Sequence, residues 1–355
     1  MIYLDYQATT PLAPEAFAAM TPWLETHFAN PHSAHKAGRA AAAAVEAARA
    51  QVAALLPPDG RVIFTSGATE ALNMAIKGTA AAGRTMVATE HAAVLDTVGA
   101  SASHPIFTAS VTPDGIVEPS TFETGVGLGI MMLVNNELGT IQPVVQIAQA
   151  MHNARGLLLC DAVQAFGRMD IPDGPDMIAI SSHKIHGPKG IGALWVRDGV
   201  DLEPLMHGGG QEQGIRSGTL SPALCVGFGA AAQLAQQQMA QDAAHVETLW
   251  DRATQLFSHW TINGSTTQRY KGNLNIRLDG LDVARLMSDV REVMFSAGSA
   301  CASGSGRPSH VLQAIGLSEA QAKSSIRLGF GRYTTIAEIE RAAGLINVAA
   351  ENQLA

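Results

Sequence analysis

MIAISSHKIHGPKGIGALWVR, residues 177–197, sets two apolar runs on either side of a turn dense in hydroxyl, histidine, lysine and glycine residues. Met177–Ser182 and Gly192–Arg197 read as short buried strands. Working outward, runs of the same kind recur at Arg61–Thr65, Thr85–Thr89, Gly129–Asn135 and Gly156–Asp161, with Ala-rich helical stretches between them from about Lys36 to Val200. Strands alternating with helices predict an α/β unit with a largely parallel sheet. Ligands of such sheets bind at the loops beyond the strands' carboxyl ends, which is where the lysine-bearing turn falls. Further on, the Ala/Gln-rich stretch Pro222–His259 predicts long helices leading into a second region. There a strand at Asn273–Leu278, a helix at Val283–Val290, strands at Glu292–Phe295 and Ser324–Gly329 and a terminal helix from Thr335 predict a smaller α+β unit. The segment SAGSACASGSGRPS, Ser296–Ser309, is dense in Gly and Ser and is expected to be a mobile loop.

Composition narrows the function classes. A chain of 355 residues exceeds the usual size of one core, so two units are expected. With 47% hydrophobic and 15% charged residues and no apolar run of membrane-spanning length, the balance is that of a soluble globular protein. The start, MIYLDYQATT, carries Asp5 and no basic segment before an apolar stretch, unlike a signal peptide, so a cytoplasmic protein is expected. A formal charge of −8 with no Lys/Arg block argues against nucleic acid or a membrane surface as partner. The three cysteines, Cys160, Cys225 and Cys301, lie too far apart for a disulfide framework or a metal site.

Lys184 follows an apolar strand. A lysine held at a strand end and partly desolvated has a lowered pKa and becomes a Schiff-base nucleophile, the use that pyridoxal phosphate makes of one. A solvated surface lysine is the ordinary alternative. In GLLLCDAVQAFG, Asp161 ends a strand where a carboxylate could pair with a protonated pyridine nitrogen, and Gln164, one turn on, could donate to a phenolic oxygen. Capping of the next element is the commoner fate of such an Asp. In RVIFTSGATEALNMAI a strand runs through Ser66, Gly67, Ala68 and Thr69 into a helix, which points backbone N–H groups and a hydroxyl at an anion such as phosphate. His91 follows another strand and could stack on a ring. Cys160 and Cys225 read as buried and inert, whereas Cys301 sits among small residues with access to solvent.

These segments occur together, and in one order, with YLDYQATTP (Tyr3–Pro11), ANPHSAH (Ala29–His35), EHAAVLD, NNELGTIQP, GGGQEQGIRSGTLSP, SAGSACASGSGRPSHVL and SIRLGFGRYTT. Across nearly its whole length the chain resembles the NifS/IscS-type cysteine desulfurases, class V members of the fold-type I pyridoxal-phosphate enzymes. The resemblance implies a large domain (13–245) with a mostly parallel seven-stranded sheet between helices, and a small α+β domain (1–12 and 246–355) carrying the loop 296–309. It implies pyridoxal 5'-phosphate on Lys184, His91 stacked on its ring, Asp161 at the pyridine nitrogen and Gln164 at the phenolic oxygen. Ala68, Thr69, Ser181 and His183 would hold the phosphate. Thr219 would reach the phosphate of a neighbouring subunit, so a homodimer is implied. Asn136 and Arg327 would grip the substrate carboxylate. Cys301 would take sulfur from L-cysteine as a persulfide and pass it to an acceptor such as an iron–sulfur scaffold protein. Its loop matches the longer loop of this group. Gln213 stands where many members have arginine, and Gln7 where Asn or Ser is commoner. The chain stops at Ala355 without the extension that housekeeping members use to dock a scaffold. The alternative on the same fold is a cysteine, cystine or selenocysteine lyase.

Overall fold

The apolar runs meet in one seven-stranded sheet. The computed structural model describes residues 1–101, 104–298 and 308–355. Across the sheet the strands follow the order Gly60–Thr65, Gly192–Arg197, Met177–Ser181, Leu157–Asp161, Gly127–Met132, Gly83–Val87 and Ile106–Ala109. Gly192–Arg197 is antiparallel to both of its neighbours, and the other six strands share one direction. The central strands are buried on both faces, as a sheet covered by helices on each side demands. One face packs a core including Phe64, Phe166 and Phe228. The other packs Leu72, Ile76, Leu159 and Leu194. The edge strand Ile106–Ala109 escaped the sequence reading because three of its four residues are exposed, so it carries no buried apolar pattern.

Pro222–Leu256 is one continuous helix of 35 residues, where the sequence suggested more than one. Its glycines do not break it. A Cβ on Gly227 would lie 2.5 Å from the sulfur of Met20, and one on Gly229 would lie 2.7 Å from Cα of Ala48, so these positions let neighbouring helices approach closely. The helix's first half contributes Cys225, Phe228 and Ala231 to the core under the large sheet. Its second half contributes Val246, Leu249 and Trp250 to a separate core with Leu274, Ile326 and Leu328.

That second core lies against a four-stranded antiparallel sheet ordered Ser296–Ala297, Ser325–Gly329, Asn273–Arg277 and Thr261–Ile262. The single strand expected at Glu292–Phe295 divides: Val293–Met294 pairs with Ile2–Tyr3, and the chain then turns into Ser296–Ala297 at the edge of the other sheet. Two short helices, His310–Ala314 and Glu319–Lys323, were not anticipated. The terminal helix Ile336–Leu354 starts where expected, because Thr335 and Glu338 form a reciprocal capping box. Among the described residues no helix is long and apolar enough to cross a membrane.

The parallel strands' carboxyl ends converge at one rim. A Cβ on Gly192 would lie 2.6 Å from the Ile180 carbonyl oxygen and 2.8 Å from Gly67, so only glycine lets the turn after Gly60–Thr65 settle against the antiparallel strand. Gly192→Ala should therefore cost about 1–3 kcal/mol, the usual range for overpacking. A lowered unfolding midpoint in calorimetry is expected, and an unchanged one would show that the turn yields freely.

Candidate active site

Lys184 ends a single 3-10 turn, Ser182–Lys184, directly after the strand Met177–Ser181. Its amine is turned onto the chain's N-terminal segment, where Nζ donates to the carbonyl oxygens of Gln7 and, at 2.7 Å, of Ala8. The Lys184 carbonyl accepts from Arg168 Nη2 at 2.8 Å. Burial, reinforced by the charges of Arg168 and Arg327 and opposed by Asp5 and Asp161, brings the amine down to about 7. A group that is protonated at neutral pH in solution is thus half available as a nucleophile here.

Asp161 ends the neighbouring strand, 6% exposed, and its Oδ1 accepts from the Val163 N–H at 3.0 Å. It therefore caps its turn and also lines the cavity. Burial raises its pKa, against the Val163 N–H and the charges of His91 and Lys184. His91 precedes the helix Ala92–Ala100 and caps it, with Nδ1 accepting from the Ala93 N–H at 3.1 Å. Burial lowers its pKa, opposed by the charge of Asp161 and reinforced by Lys184 and His310. Gln164 is buried and donates from Nε2 to the Gln7 carbonyl at 3.0 Å.

One end of the site is built for an anion. The helix Ala68–Gly78 begins at Gly67 with no side-chain cap, which leaves its first N–H groups to face the cavity. Nothing lies within 4 Å of where a Gly67 Cβ would sit. The Ser66 N–H is occupied by Glu70 Oε2 at 2.6 Å, and Arg216 holds that carboxylate at 2.7 Å. His183 bonds Thr9 Oγ1 at 3.1 Å through Nδ1. Burial, with the charges of Lys184 and Lys189, brings the ring down to about 4.

At the other end Arg327, 1% exposed, donates to the Asn136 carbonyl at 3.0 Å and to Asp5 Oδ1 at 2.7 Å. Ser296 Oγ also donates to Asp5 Oδ1, at 2.9 Å. The two ends open into one cavity of about 540 Å³, into which Lys184, Asp161 and His91 project between them.

A sequence model of the class-V aminotransferases matches residues 2–342. The chain belongs to this family. It is 42% identical to the cysteine desulfurase IscS of Rickettsia africae, over 97% of this chain and 90% of the relative, and stands at the same level to the IscS of Rickettsia rickettsii. That similarity places it in the cysteine desulfurase branch of the family. The X-ray structure of a NifS-like protein from Rickettsia africae superposes with a TM-score of 0.90 at 28% identity, covering 99% of each chain. A structure described as SspA in complex with cysteine superposes at 0.80 with 33% identity, over 94% of this chain and all of that one.

Ten of the residues singled out from the sequence line the one cavity: Ala68, Thr69, His91, Asn136, Asp161, Gln164, Ser181, His183, Lys184 and Arg327. Thr219 does not line it and is exposed. Cys301 lies outside the described residues. Cys160 and Cys225 are buried, and burial pushes their thiols up, the first well above the ordinary range and the second to about 12. The sequence reading gave no role to Asp5, Arg168 or Gly192, and treated Gln7 only as a departure. Asp5 and Gln7 meet the site from a distant part of the chain and leave no local pattern, whereas Arg168 directly follows GLLLCDAVQAFG and Gly192 lies within the lysine-bearing stretch, and their roles show only in the packing.

The lowered amine has a direct test. In the full-length, cofactor-free protein, reductive methylation of Lys184 followed by peptide mass spectrometry should rise through a midpoint near pH 7, because the unprotonated amine is the reactive form and gains population as pH rises through its pKa. A midpoint above pH 10, the range of an unperturbed lysine, would mean that the amine is solvated.

Proposed function

We propose that this cysteine desulfurase uses pyridoxal 5'-phosphate bound to Lys184 to take sulfur from L-cysteine, leaving alanine and a persulfide on Cys301. The observation that carries the reading is the placement of a nucleophilic amine, a buried carboxylate and a buried guanidinium around one cavity. The residues fit such a cofactor. The uncapped helix start at Ala68 and Thr69, with Ser181 and His183 beside it, suits a phosphate. Asp161 suits a protonated ring nitrogen, since that partner's charge would draw the carboxyl back to its ionised form.

When bound, the cofactor supplies an electron sink for the bond broken at the amino acid's α-carbon. Arg327 would bind the substrate carboxylate with its planar fork, and Asn136 would hold the same group. Lys184 Nζ, once freed, would take the α-proton, for which a pKa near neutrality is suitable. His91, bordering the cavity, would relay protons. The Cys301 thiolate would then attack the substrate sulfur: an S–S bond forms, the C–S bond breaks with its electron pair left on the carbon fragment, and that fragment leaves as alanine after gaining one proton at Cβ and regaining at Cα the one held by Lys184.

We also propose the division into a large unit of 13–245 and a small one of 1–12 with 246–355. The two cores joined by the helix Pro222–Leu256 support it. A cytoplasmic homodimer, in which the exposed Thr219 reaches a second chain's phosphate, and an iron–sulfur scaffold or similar protein as sulfur acceptor, complete the reading.

Incubation with L-cysteine should add one reducible sulfur to the intact mass. Lys184→Ala should lower turnover by on the order of 10²–10⁴ or more, the loss expected from removing the general base alone. Cys301→Ala should keep cofactor and substrate binding but form neither alanine nor the sulfur adduct, while Cys160→Ala and Cys225→Ala retain turnover. Alanine formation at the parent rate by Cys301→Ala would overturn the assignment. For the shared site, mixed dimers of Thr219→Ala and Lys184→Ala chains should differ in activity from the mean of the two parents. Additive behaviour would separate the subunits' sites.

A further inference from the structure

Arg168 touches three parts of the site without lining its cavity. It follows the strand Leu157–Asp161 by a short turn, and its Nη1 donates to Gln164 Oε1 at 2.7 Å. Nη2 donates to the Lys184 carbonyl at 2.8 Å and to the Tyr6 carbonyl at 3.4 Å. The guanidinium carbon lies 5.3 Å from the centroid of the Tyr270 ring, so the cation stands over an aromatic face. One side chain thereby ties together the turn after Asp161, the turn that ends in Lys184 and the N-terminal segment that receives the Lys184 amine.

We propose that Arg168 is a positioning residue which sets the orientation of the Gln164 amide and fixes the backbone from which Lys184 projects. A guanidinium donates only, so the Gln164 oxygen has to face it and the Gln164 NH₂ has to face the opposite way. Nε2 does face away, donating to the Gln7 carbonyl at 3.0 Å. Without Arg168 the Gln164 amide is held at one end only, by the Gln7 carbonyl, and its orientation is less firmly fixed. The Lys184 carbonyl contact acts at the other end of the same fork: it restrains the turn, and with it the origin of the amine. The arrangement also sets a positive charge beside the amine. Burial is the larger cause of that amine's depression to about 7, and Arg168 is the first of the charges that add to it.

The inference rests on the cofactor reading for its Gln164 half and not for its Lys184 half, and the test has an arm for each. The full-length protein is compared with Arg168→Met and Arg168→Lys. In the first arm, without cofactor, the pH midpoint of Lys184 methylation is measured. Arg168→Met should raise it by at least about half a unit, since removal of a like charge favours the protonated amine, and Arg168→Lys should leave it near the parent value. In the second arm pyridoxal 5'-phosphate is titrated by absorbance. Both variants should bind it about tenfold more weakly, because a lysine restores the charge and not the rigid planar fork. A general loss of packing would not separate the two arms in this way.

An Arg168→Lys protein that binds the cofactor as tightly as the parent overturns the inference, as does an Arg168→Met protein with the parent's midpoint. Should Arg168→Met fail to fold, the affinity of Arg168→Lys decides alone. A parent protein that binds no pyridoxal 5'-phosphate would sink the proposed function, and the methylation midpoints would still judge Arg168.

Discussion

The site depends on how the first thirteen residues cross between the two sheets. Leu4 is bonded on one side to Met294 and on the other to Gly329, at 2.8 and 2.7 Å, which ties this segment to the smaller unit. Gln7 Nε2 then donates to the Gly272 carbonyl at 2.8 Å. Three residues later the Thr10 N–H and hydroxyl both reach the His183 carbonyl, at 3.0 and 2.9 Å, and Thr10 Oγ1 accepts from the His186 N–H at 2.8 Å. Between those two anchors the carbonyls of Gln7 and Ala8 face the Lys184 amine. The segment is thus stretched from one core to the turn on the other. His186 has a φ of 68°, an uncommon conformation for a side chain with a Cβ. Its N–H and Nδ1 are held by Thr10 and by the Pro11 carbonyl, at 2.8 and 3.0 Å, so the same segment sustains the strained turn.

Electrostatics at the rim follow from that crossing. Desolvation of the amine is tolerated because two backbone carbonyls and two carboxylates offset part of its cost, while Arg168 and Arg327 hold the balance near neutrality. Asp5 arrives on the same segment and is the partner of Arg327, which would otherwise be a buried unpaired cation. The Arg327 guanidinium is held on two sides, by Asp5 and by the Asn136 carbonyl, so little side-chain entropy remains to it.

A buried acid, Glu137, and the backbone carbonyl of Glu90 hold Ser309 and His310, just beyond the cysteine-bearing segment. Ser309 Oγ donates to Glu137 Oε2 at 2.5 Å, and His310 Nε2 bonds the Glu90 carbonyl at 2.9 Å. Burial raises the carboxyl of each glutamate, Glu90 well above the ordinary range. Glu90 also accepts from the Met132 N–H at 2.9 Å, at the end of a central strand. Ser309 and His310 are therefore bonded directly to residues at the rim of the large sheet, beside His91.

The strands and the residues at their ends were legible without a structure, because both are local. A buried strand is a run of apolar residues, and Asp161, Ser181, Lys184 and the turn from Ser66 to Thr69 each lie within a few positions of the end of one. The helical character of Pro222–His259 was legible for the same reason, and the close packing of its glycines on Met20 and Ala48 accompanies a single unbroken helix. What the sequence alone determined is the parallel sheet and the set of groups presented at its rim, since strand periodicity dictates where each strand stops. Tertiary structure alone decided which carbonyls receive the Lys184 amine, that Asp5 partners Arg327 across 322 positions, and that Arg168 orients Gln164. The Lys184 and Asp5 pairings join segments far apart in the chain, and such a contact leaves no periodic trace in either segment; the Arg168–Gln164 pair spans only four positions, but its geometry is fixed by the bonds of Arg168 to the Lys184 and Tyr6 carbonyls.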